Sequence, residues 1–257
     1  MLVYSPPRGA ASERRTPFTT RDVTAKGTCM IEEYFLEADR DLLDYAGLPE
    51  LRNGRAELRD KWNAGSRDPD TFYRDEVGDS YLHDLAVWHS GGKVLSWGTG
   101  AYPVLRGEVL DFGGGIGTYS LMAASKPEVD RVFYHDVNTT NLAFARYRAD
   151  KHGVAEKIAW GPPDHPVDCL ISLDVLEHLP SRRRGILEFA RRLKKGGVLV
   201  LTYTPNTTHG QHPMHLMTPF DVFTVRVLLN VLFRRESPKG RNPQLWRKRF
   251  RAADRLL

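Results

Sequence analysis

The chain has 257 residues, of which 41% are hydrophobic and 27% charged, and this suits a globular protein with one sizeable core. It contains no run of about 18 apolar residues and no apolar signal-peptide core near its start, so we expect no membrane span and a cytoplasmic location. The net charge of +5 is uneven, because residues 233–257 hold nine lysines and arginines but two acidic residues. Such a tail could bind nucleic acid or an anionic membrane, although a solvated terminus is the more ordinary case.

The sequence divides into four regions that differ in composition and in the spacing of apolar residues. Residues 1–28 are rich in proline, arginine, threonine and serine and are predicted to be a flexible arm. Residues 29–104 place apolar side chains at helical spacing, which predicts an N-terminal helical cap. Residues 105–205 alternate short apolar runs with helical stretches, and residues 206–257 contain a loop, an apolar helix and the basic tail.

The alternation in the third region predicts an α/β fold, with a parallel sheet covered by helices on both faces. The expected strands are residues 109–112, 131–135, 158–160, 167–173 and 197–203, and the expected helices are residues 118–125, 141–152, 181–193 and 219–233. The last helix is expected to belong to the core, with an interfacial helix as the alternative. Beyond it we recognise no strand pair, so the final sheet edge could be missing, supplied by a partner or replaced by a basic helix.

The first expected strand runs into a glycine-rich loop, which reads Asp-Phe-Gly-Gly-Gly-Ile-Gly-Thr over residues 111–118. Glycines permit a tight turn and close approach of a ligand, and the helix that follows offers free backbone N–H groups. A dinucleotide fingerprint needs glycine or alanine at the position of Thr118, so that ligand class is disfavoured. The pattern instead resembles the first motif of class I S-adenosylmethionine-dependent methyltransferases, which have a Rossmann-like fold.

This resemblance covers residues 105–205 and implies a binding site for S-adenosyl-L-methionine. It implies that Gly113, Gly115 and Gly117 lie against the methionine part of the cofactor. It also implies that Asp111 helps to organise the ammonium end. The usual family sheet ends in a C-terminal strand pair, which is the element that we do not recognise here.

Two acidic positions extend the resemblance. Asp136 ends the second strand, where a carboxylate can accept hydrogen bonds from ribose hydroxyls, and the resemblance assigns it this role. Residues 174–178 follow the fourth strand and read Asp-Val-Leu-Glu-His. They resemble the fourth motif of the small-molecule branch, which includes O-methyltransferases of the ubiquinone-biosynthesis type. We therefore place Asp174 in the cofactor site.

Candidate catalytic residues lie just after the fourth and fifth strands. Methyl transfer to a hydroxyl can require a general base, and Glu177 and His178 are the leading candidates for it. His209, His212 and His215 could hold a metal ion, contact the acceptor or belong to a structural loop. We expect no metal, because no carboxylate accompanies these histidines.

Further pocket residues are less specific. In relatives, helices before the first motif cover the cofactor and help to form the acceptor pocket. Residues 70–74 and 81–88 could do this here, and Tyr73 and Arg74 are the candidates in the cap. Asp164 could hydrogen-bond the adenine amino group, and Trp160 could stack on adenine, although a core position is the more ordinary role for such a tryptophan.

The leading functional hypothesis is an enzyme that methylates an oxygen or nitrogen of a small molecule. One alternative is a methyltransferase that acts on nucleic acid through the basic tail. The Asp/Asn-Pro-Pro-Tyr/Phe motif of amino-methylating DNA enzymes is, however, absent after the fourth strand. A non-catalytic module that binds S-adenosylmethionine is a second alternative, and an NAD-dependent oxidoreductase is disfavoured by Thr118. The sequence does not identify the acceptor or the oligomeric state.

Overall fold

The computed structural model describes residues 31–65, 67–204, 215 and 217–249, so the predicted arm of residues 1–28 lies outside the described part. Residues 31–36 are helical and lead into the cap helices, which are α1 (Ala38–Ala46), α2 (Gly54–Ala64), α3 (Ser80–His89) and α4 (Gly92–Ala101). A short helix (Pro69–Thr71) and a π-helical turn (Phe72–Glu76) connect α2 to α3. Within the described residues, no helix is both long enough and apolar enough to cross a membrane.

The described residues form a sheet of seven strands in the order β3-β2-β1-β4-β5-β7-β6. Its strands are β1 (Gly107–Phe112), β2 (Val129–His135), β3 (Ile158–Trp160), β4 (Val167–Ser172), β5 (Leu193–Leu201), β6 (Phe233–Arg235) and β7 (Gln244–Lys248). The first five are parallel, whereas β7 is antiparallel to β5 and β6. The connecting helices are α5 (Thr118–Ala124), α6 (Thr139–Lys151), α7 (Arg182–Arg192) and α8 (Pro219–Leu232). The expected Rossmann-like α/β fold is confirmed.

Helices cover both faces of the sheet, which explains why the strands read as nearly continuous apolar runs. Val109 of β1 belongs to the core cluster that includes the cap and α5. The next residue, Leu110, belongs to the cluster formed with α7 and α8. The strand order reverses between β1 and β4, and sheets of this type bind ligands at such a point.

The C-terminal strand pair is present, so the expectation that we would not find it was wrong. β6 has three residues and directly follows α8, and β7 carries basic side chains that conceal its strand character. Side chains of β7 stabilise this edge of the sheet. Lys248 Nζ donates to the carbonyl of Leu193 at 2.7 Å, Arg247 pairs with Glu236, and Trp246 is buried. A basic helix does not replace the edge.

A buried ionic contact joins the cap to the sheet. Arg148 of α6 has no exposed surface, and its Nε donates to Asp41 Oδ2 at 2.8 Å. Its Nη1 donates to the carbonyl of Ile116 at 3.0 Å and to Thr118 Oγ1 at 2.7 Å, and its Nη2 donates to the carbonyl of Tyr34. Burial by itself would raise the pKa of Asp41, but a hydrogen bond from His152 and the Arg148 charge outweigh burial and lower it.

Replacing Arg148 with methionine should destabilise the fold by about 3–5 kcal/mol, because the buried carboxylate of Asp41 would keep only Lys151 and His152 as partners and the carbonyls of Ile116 and Tyr34 would lose a donor. Urea or guanidinium unfolding of the variant measures this loss. The matched control is Arg40→Met, since Arg40 forms an exposed pair with Glu37 and such pairs contribute about 0–1 kcal/mol. Equal small losses in the two variants would contradict the anchoring role of Arg148.

Candidate active site

A cavity of about 290 Å³ lies at the carboxyl ends of β1, β2 and β4. The sheet side contributes Gly113, Asp136 and Asp174 to its lining, and the cap contributes aromatic residues such as Tyr73 and Trp88. The cavity is therefore shared between the predicted cofactor loop and the predicted acceptor-side cap.

The three glycines predicted to contact the cofactor have different positions. Gly113 and Gly115 line the cavity, whereas Gly117 does not. Gly113 has φ +75, and a Cβ there would come within 2.5 Å of Val175 Cγ2. Gly117 has φ +77, and a Cβ there would come within 2.8 Å of Ala145 Cβ. Gly117 thus allows α5 to pack closely on α6, behind the loop.

Asp111 and Asp136 both hold the loop, but from different sides. Asp111 is buried away from the cavity lining, accepts a hydrogen bond from Ser120 Oγ at 2.7 Å, and has its pKa raised by burial to about 7. Asp136 lines the cavity and accepts from the backbone N–H groups of Gly115 and Asn138, each at 2.8 Å. Burial also raises the pKa of Asp136.

Asp174 lies in the cavity wall in a strained position. Its φ is +55, which is uncommon outside glycine, and its backbone N–H donates to Thr202 Oγ1 at 2.9 Å. Burial raises the pKa of Asp174 to about 6, while the Lys93 charge acts in the opposite direction. Lys93 also lines the cavity, with its Nζ 5.1 Å from the ring centroids of both Trp88 and Trp97. Sequence analysis missed Lys93 and Trp97, whereas Trp88 ends a stretch that it placed near the pocket.

The two candidate catalytic residues point to different places. Both lie in a short 3-10 turn (Leu176–His178), but Glu177 is fully buried outside the cavity lining, and its Oε1 accepts from the backbone N–H of Thr204 at 2.6 Å. Burial, followed by the Asp174 charge, raises the pKa of Glu177. His178 lines the cavity, and its ring packs edge-on against that of His215, with 4.8 Å between centroids.

Tyr73 connects the cap to the turn that carries His178. Its Oη lies 2.8 Å from His178 Nδ1, and its carbonyl accepts from Asn138 Nδ2 at 2.9 Å. Burial raises the pKa of Tyr73 well above its ordinary value, so the phenol stays protonated. Of the two predicted cap residues, Tyr73 lines the cavity, whereas Arg74 is exposed and does not.

The remaining candidates lie away from the cavity or outside the described part. Trp160 packs edge-on against Tyr134, with 5.3 Å between centroids, and does not line the cavity. Asp164 is exposed and pairs with His165. His209 and His212 lie outside the described residues. Among the residues that are described, no group of three or more histidine, cysteine or acidic residues is arranged to hold a metal ion.

The cavity wall fits a ligand that has a sugar and an amino-acid part with both an ammonium and a carboxylate. Asp136 and Asp174 present carboxylates, and Lys93 presents a cation. Two buried polar atoms in residues of this wall, His89 Nδ1 and Tyr119 Oη, have no hydrogen-bond partner among the described residues. Buried polar atoms of this kind are costly unless a ligand or water satisfies them. S-adenosylmethionine has an ammonium, a carboxylate and ribose hydroxyls, which are groups that such charged and polar side chains can bind.

One part of the chain matches a known protein family. Residues 110–201 match the family model described as a methyltransferase domain. The YcgJ protein from Bacillus subtilis is 21% identical, with a TM-score of 0.46 over 55% of this chain and 69% of that chain. The DhpI–SAH complex is 18% identical, with a TM-score of 0.44 over 74% and 84%. An O-methyltransferase family protein from Burkholderia thailandensis is 19% identical, with a TM-score of 0.48 over 70% and 60%. No curated protein matches the chain.

The buried carboxyl of Glu177 should make stability depend on pH. Because its pKa is raised on folding, the native state binds the proton more tightly, and stability falls as pH rises above the ordinary glutamate range. Glu177→Gln cannot ionise and keeps an oxygen for the Thr204 N–H. It should therefore be about 1–2 kcal/mol more stable than the wild type at mildly alkaline pH, with the difference vanishing near pH 4. Chemical unfolding across this pH range measures it.

The matched control for this measurement is Glu156→Gln, an exposed position, which should change stability little at any pH. A Glu177→Gln variant that is less stable than the wild type at alkaline pH would mean that the ionised carboxylate is itself stabilising.

Proposed function

We propose that this chain, whose residues 110–201 match a methyltransferase-domain model, is a class I S-adenosylmethionine-dependent methyltransferase that transfers a methyl group to an oxygen or nitrogen of a small molecule. The observation that carries the proposal is one cavity, lined by the glycine loop on one side and by His178 and Tyr73 on the other. Cofactor and acceptor can thus meet in one cavity. A cytoplasmic location stays a prediction.

The cofactor would be held by groups from the sheet and from the cap. Gly113 and Gly115 line its space from the loop side, and Asp136 would accept hydrogen bonds from the ribose hydroxyls. Asp174 would pair with the ammonium, and Lys93 would pair with the carboxylate. Asp111 and Gly117 act from behind the loop: Asp111 holds Ser120, and Gly117 sets the packing of α5.

The bound cofactor supplies an electrophilic methyl group on a positively charged sulfur. The chain must then hold the acceptor in line with that group, exclude water and take up a proton. In the tautomer with a proton on Nδ1, His178 donates to Tyr73 Oη, and its Nε2 can accept the proton of the acceptor. Glu177 contributes by fixing the turn that carries His178, through its contact with Thr204.

A small acceptor fits better than a nucleic acid because the cap covers the cavity. Tyr73, Tyr81 and Trp88 belong to the cap and line the same space as Asp136 and Asp174. A base in a duplex would have to be extruded and pass under these side chains. The alternatives that stay open are nucleic acid methylation and a cofactor-binding module without catalysis.

Asp174→Asn should weaken the binding of S-adenosylmethionine by about tenfold or more, because the ammonium would lose a charged acceptor. In the wild type, binding of a cation lowers the raised pKa of Asp174, so affinity should fall as pH drops below about 6. The variant should lose this pH dependence. Calorimetric titration with S-adenosylmethionine, S-adenosylhomocysteine and NAD measures both effects.

Asp164→Asn is the matched control for the titrations, since Asp164 is an exposed acid outside the cavity. It should bind the cofactor like the wild type. If neither sulfur compound binds the wild type, or if NAD binds instead, the proposed cofactor site is wrong.

His178→Gln should lower kcat by about 10²–10⁴-fold, because the acceptor would lose its general base. The cofactor dissociation constant should change little, which separates a catalytic effect from damage to the site. A screen of phenols, carboxylic acids and amines, read out by S-adenosylhomocysteine release, identifies the acceptor needed for the measurement. The variant Tyr73→Phe should have a smaller effect, with a shifted pH profile.

Two outcomes of this screen would redirect the assignment. Turnover on RNA or DNA, but on no small molecule, would favour nucleic acid as the acceptor. Full activity of His178→Gln would remove His178 as the base.

A further inference from the structure

One side of α8 presents a continuous apolar stripe to solvent. Phe220 is 75% exposed, Phe223 65%, Val227 44% and Val231 54%. Their spacing of three or four residues places them along one face of the helix. Single exposed apolar residues are common in folded proteins, but a contiguous stripe with two phenylalanines generally marks an interaction surface.

The fold prevents this stripe from turning inward. On the opposite side of α8, Val225, Leu229 and Leu232 are buried against the core cluster of α7 and the sheet. At the start of the helix, Thr218 and Asp221 form a reciprocal capping box. The helix is thus fixed in rotation by its inner face, which packs in the core as expected, and its outer face is exposed.

The C-terminal part of the sequence, which includes the helix with this stripe, is strongly basic. Residues 181–257 contain 17 lysines and arginines and four acidic residues. Residues 1–180 contain 20 lysines and arginines and 28 acidic residues. Arg226 is exposed on α8, and Arg183 and Arg184 are exposed on the neighbouring helix α7. Every exposed position of α8 is apolar, basic or uncharged, since its one acid, Asp221, is half-buried near Arg182.

We propose that the outer face of α8, together with the exposed arginines of α7, binds an anionic membrane surface. Phenylalanine and valine side chains enter the boundary between headgroups and acyl chains, while arginines meet the lipid phosphates. This arrangement explains both the apolar stripe and the absence of exposed acids on the described helix. It is a peripheral contact and does not depend on the proposed catalytic function.

The other occupants of such a face fit it less well. A symmetric contact with a second copy would bring arginines against arginines, which is unfavourable. A nucleic acid would satisfy the arginines, but its phosphates offer nothing to Phe220, Phe223 and the two valines. An anionic lipid surface supplies partners for both kinds of side chain at once.

Co-sedimentation of the full chain with lipid vesicles, without cofactor, tests the proposal. The chain should bind vesicles that contain phosphatidylglycerol, bind phosphatidylcholine vesicles much more weakly, and dissociate as salt is raised. Phe220→Ser/Phe223→Ser should weaken binding by about tenfold or more, because two apolar side chains no longer leave water. Its unfolding transition should resemble that of the wild type, since both side chains are exposed.

The matched control is Leu36→Ser/Val87→Ser, which removes two apolar side chains of similar exposure, 48% and 57%, from the cap. It should bind vesicles like the wild type. Failure to bind anionic vesicles, or equal binding by both double variants, would overturn the proposal. Tight binding to DNA or RNA without vesicle binding would assign the face to nucleic acid. Concentration-dependent dimerisation that Phe220→Ser/Phe223→Ser abolishes would assign it to a second copy.

Discussion

The buried guanidinium of Arg148 is the constraint on which the arrangement of cap and sheet depends. A charge without solvent contact is tolerated only when its donors are matched. Here the partners come from the cap, as Asp41 and the carbonyl of Tyr34, and from the start of α5, as the carbonyl of Ile116 and Thr118 Oγ1. If the cap moved away, the guanidinium of Arg148 would lose Asp41 and the carbonyl of Tyr34 as hydrogen-bond partners. The cap is therefore tied to the end of the glycine loop.

This tie gives the cavity its chemical character, because it brings cap side chains over a cluster of buried acids. Burial raises the pKa of Asp111, Asp136, Asp174 and Glu177. Strongly perturbed groups that cluster in a cleft are typical of functional sites. The cation that opposes the shift of Asp174 is Lys93, which comes from the cap. A ligand with its own positive charge would relieve the cluster further, and S-adenosylmethionine carries two such groups.

The sequence predicted the parallel core well because local patterns determine it. The β3 bounds agree with the prediction, and the glycine loop and Asp136 lie at the strand ends, as expected. The strand pair β6 and β7 was missed because three residues are too few to show a period, and because Arg247 and Lys248 obscure the alternation. Their roles depend on Glu236 and on a carbonyl of β5, which no local pattern reveals.

Sequence analysis missed the interactions in the site between side chains that are far apart in the sequence. Tyr73 and His178 are 105 residues apart in the chain, and Lys93, whose charge acts on Asp174, lies about 80 residues before it. Neighbouring residues were also hard to separate: the resemblance slightly favoured Glu177 over His178, whereas His178 is the one that lines the cavity. The backbone of the 3-10 turn directs Glu177 into the protein interior and His178 into the cavity. A motif predicts which residues are near the chemistry, whereas turn geometry decides which of them can touch a substrate.

The charge asymmetry of the chain follows the division of the structure into cap and outer helices. The acidic part, residues 1–180, supplies the cap and most of the cavity wall, and the basic part supplies α7, α8 and the antiparallel edge. Because charges in solvent are screened over about 8–10 Å, the two surfaces can act on different partners. The acidic wall favours a cationic cofactor, and the basic face attracts an anionic surface. An anionic membrane would thus meet the outer helices, while the acids of the cavity would repel its headgroups from the cofactor site.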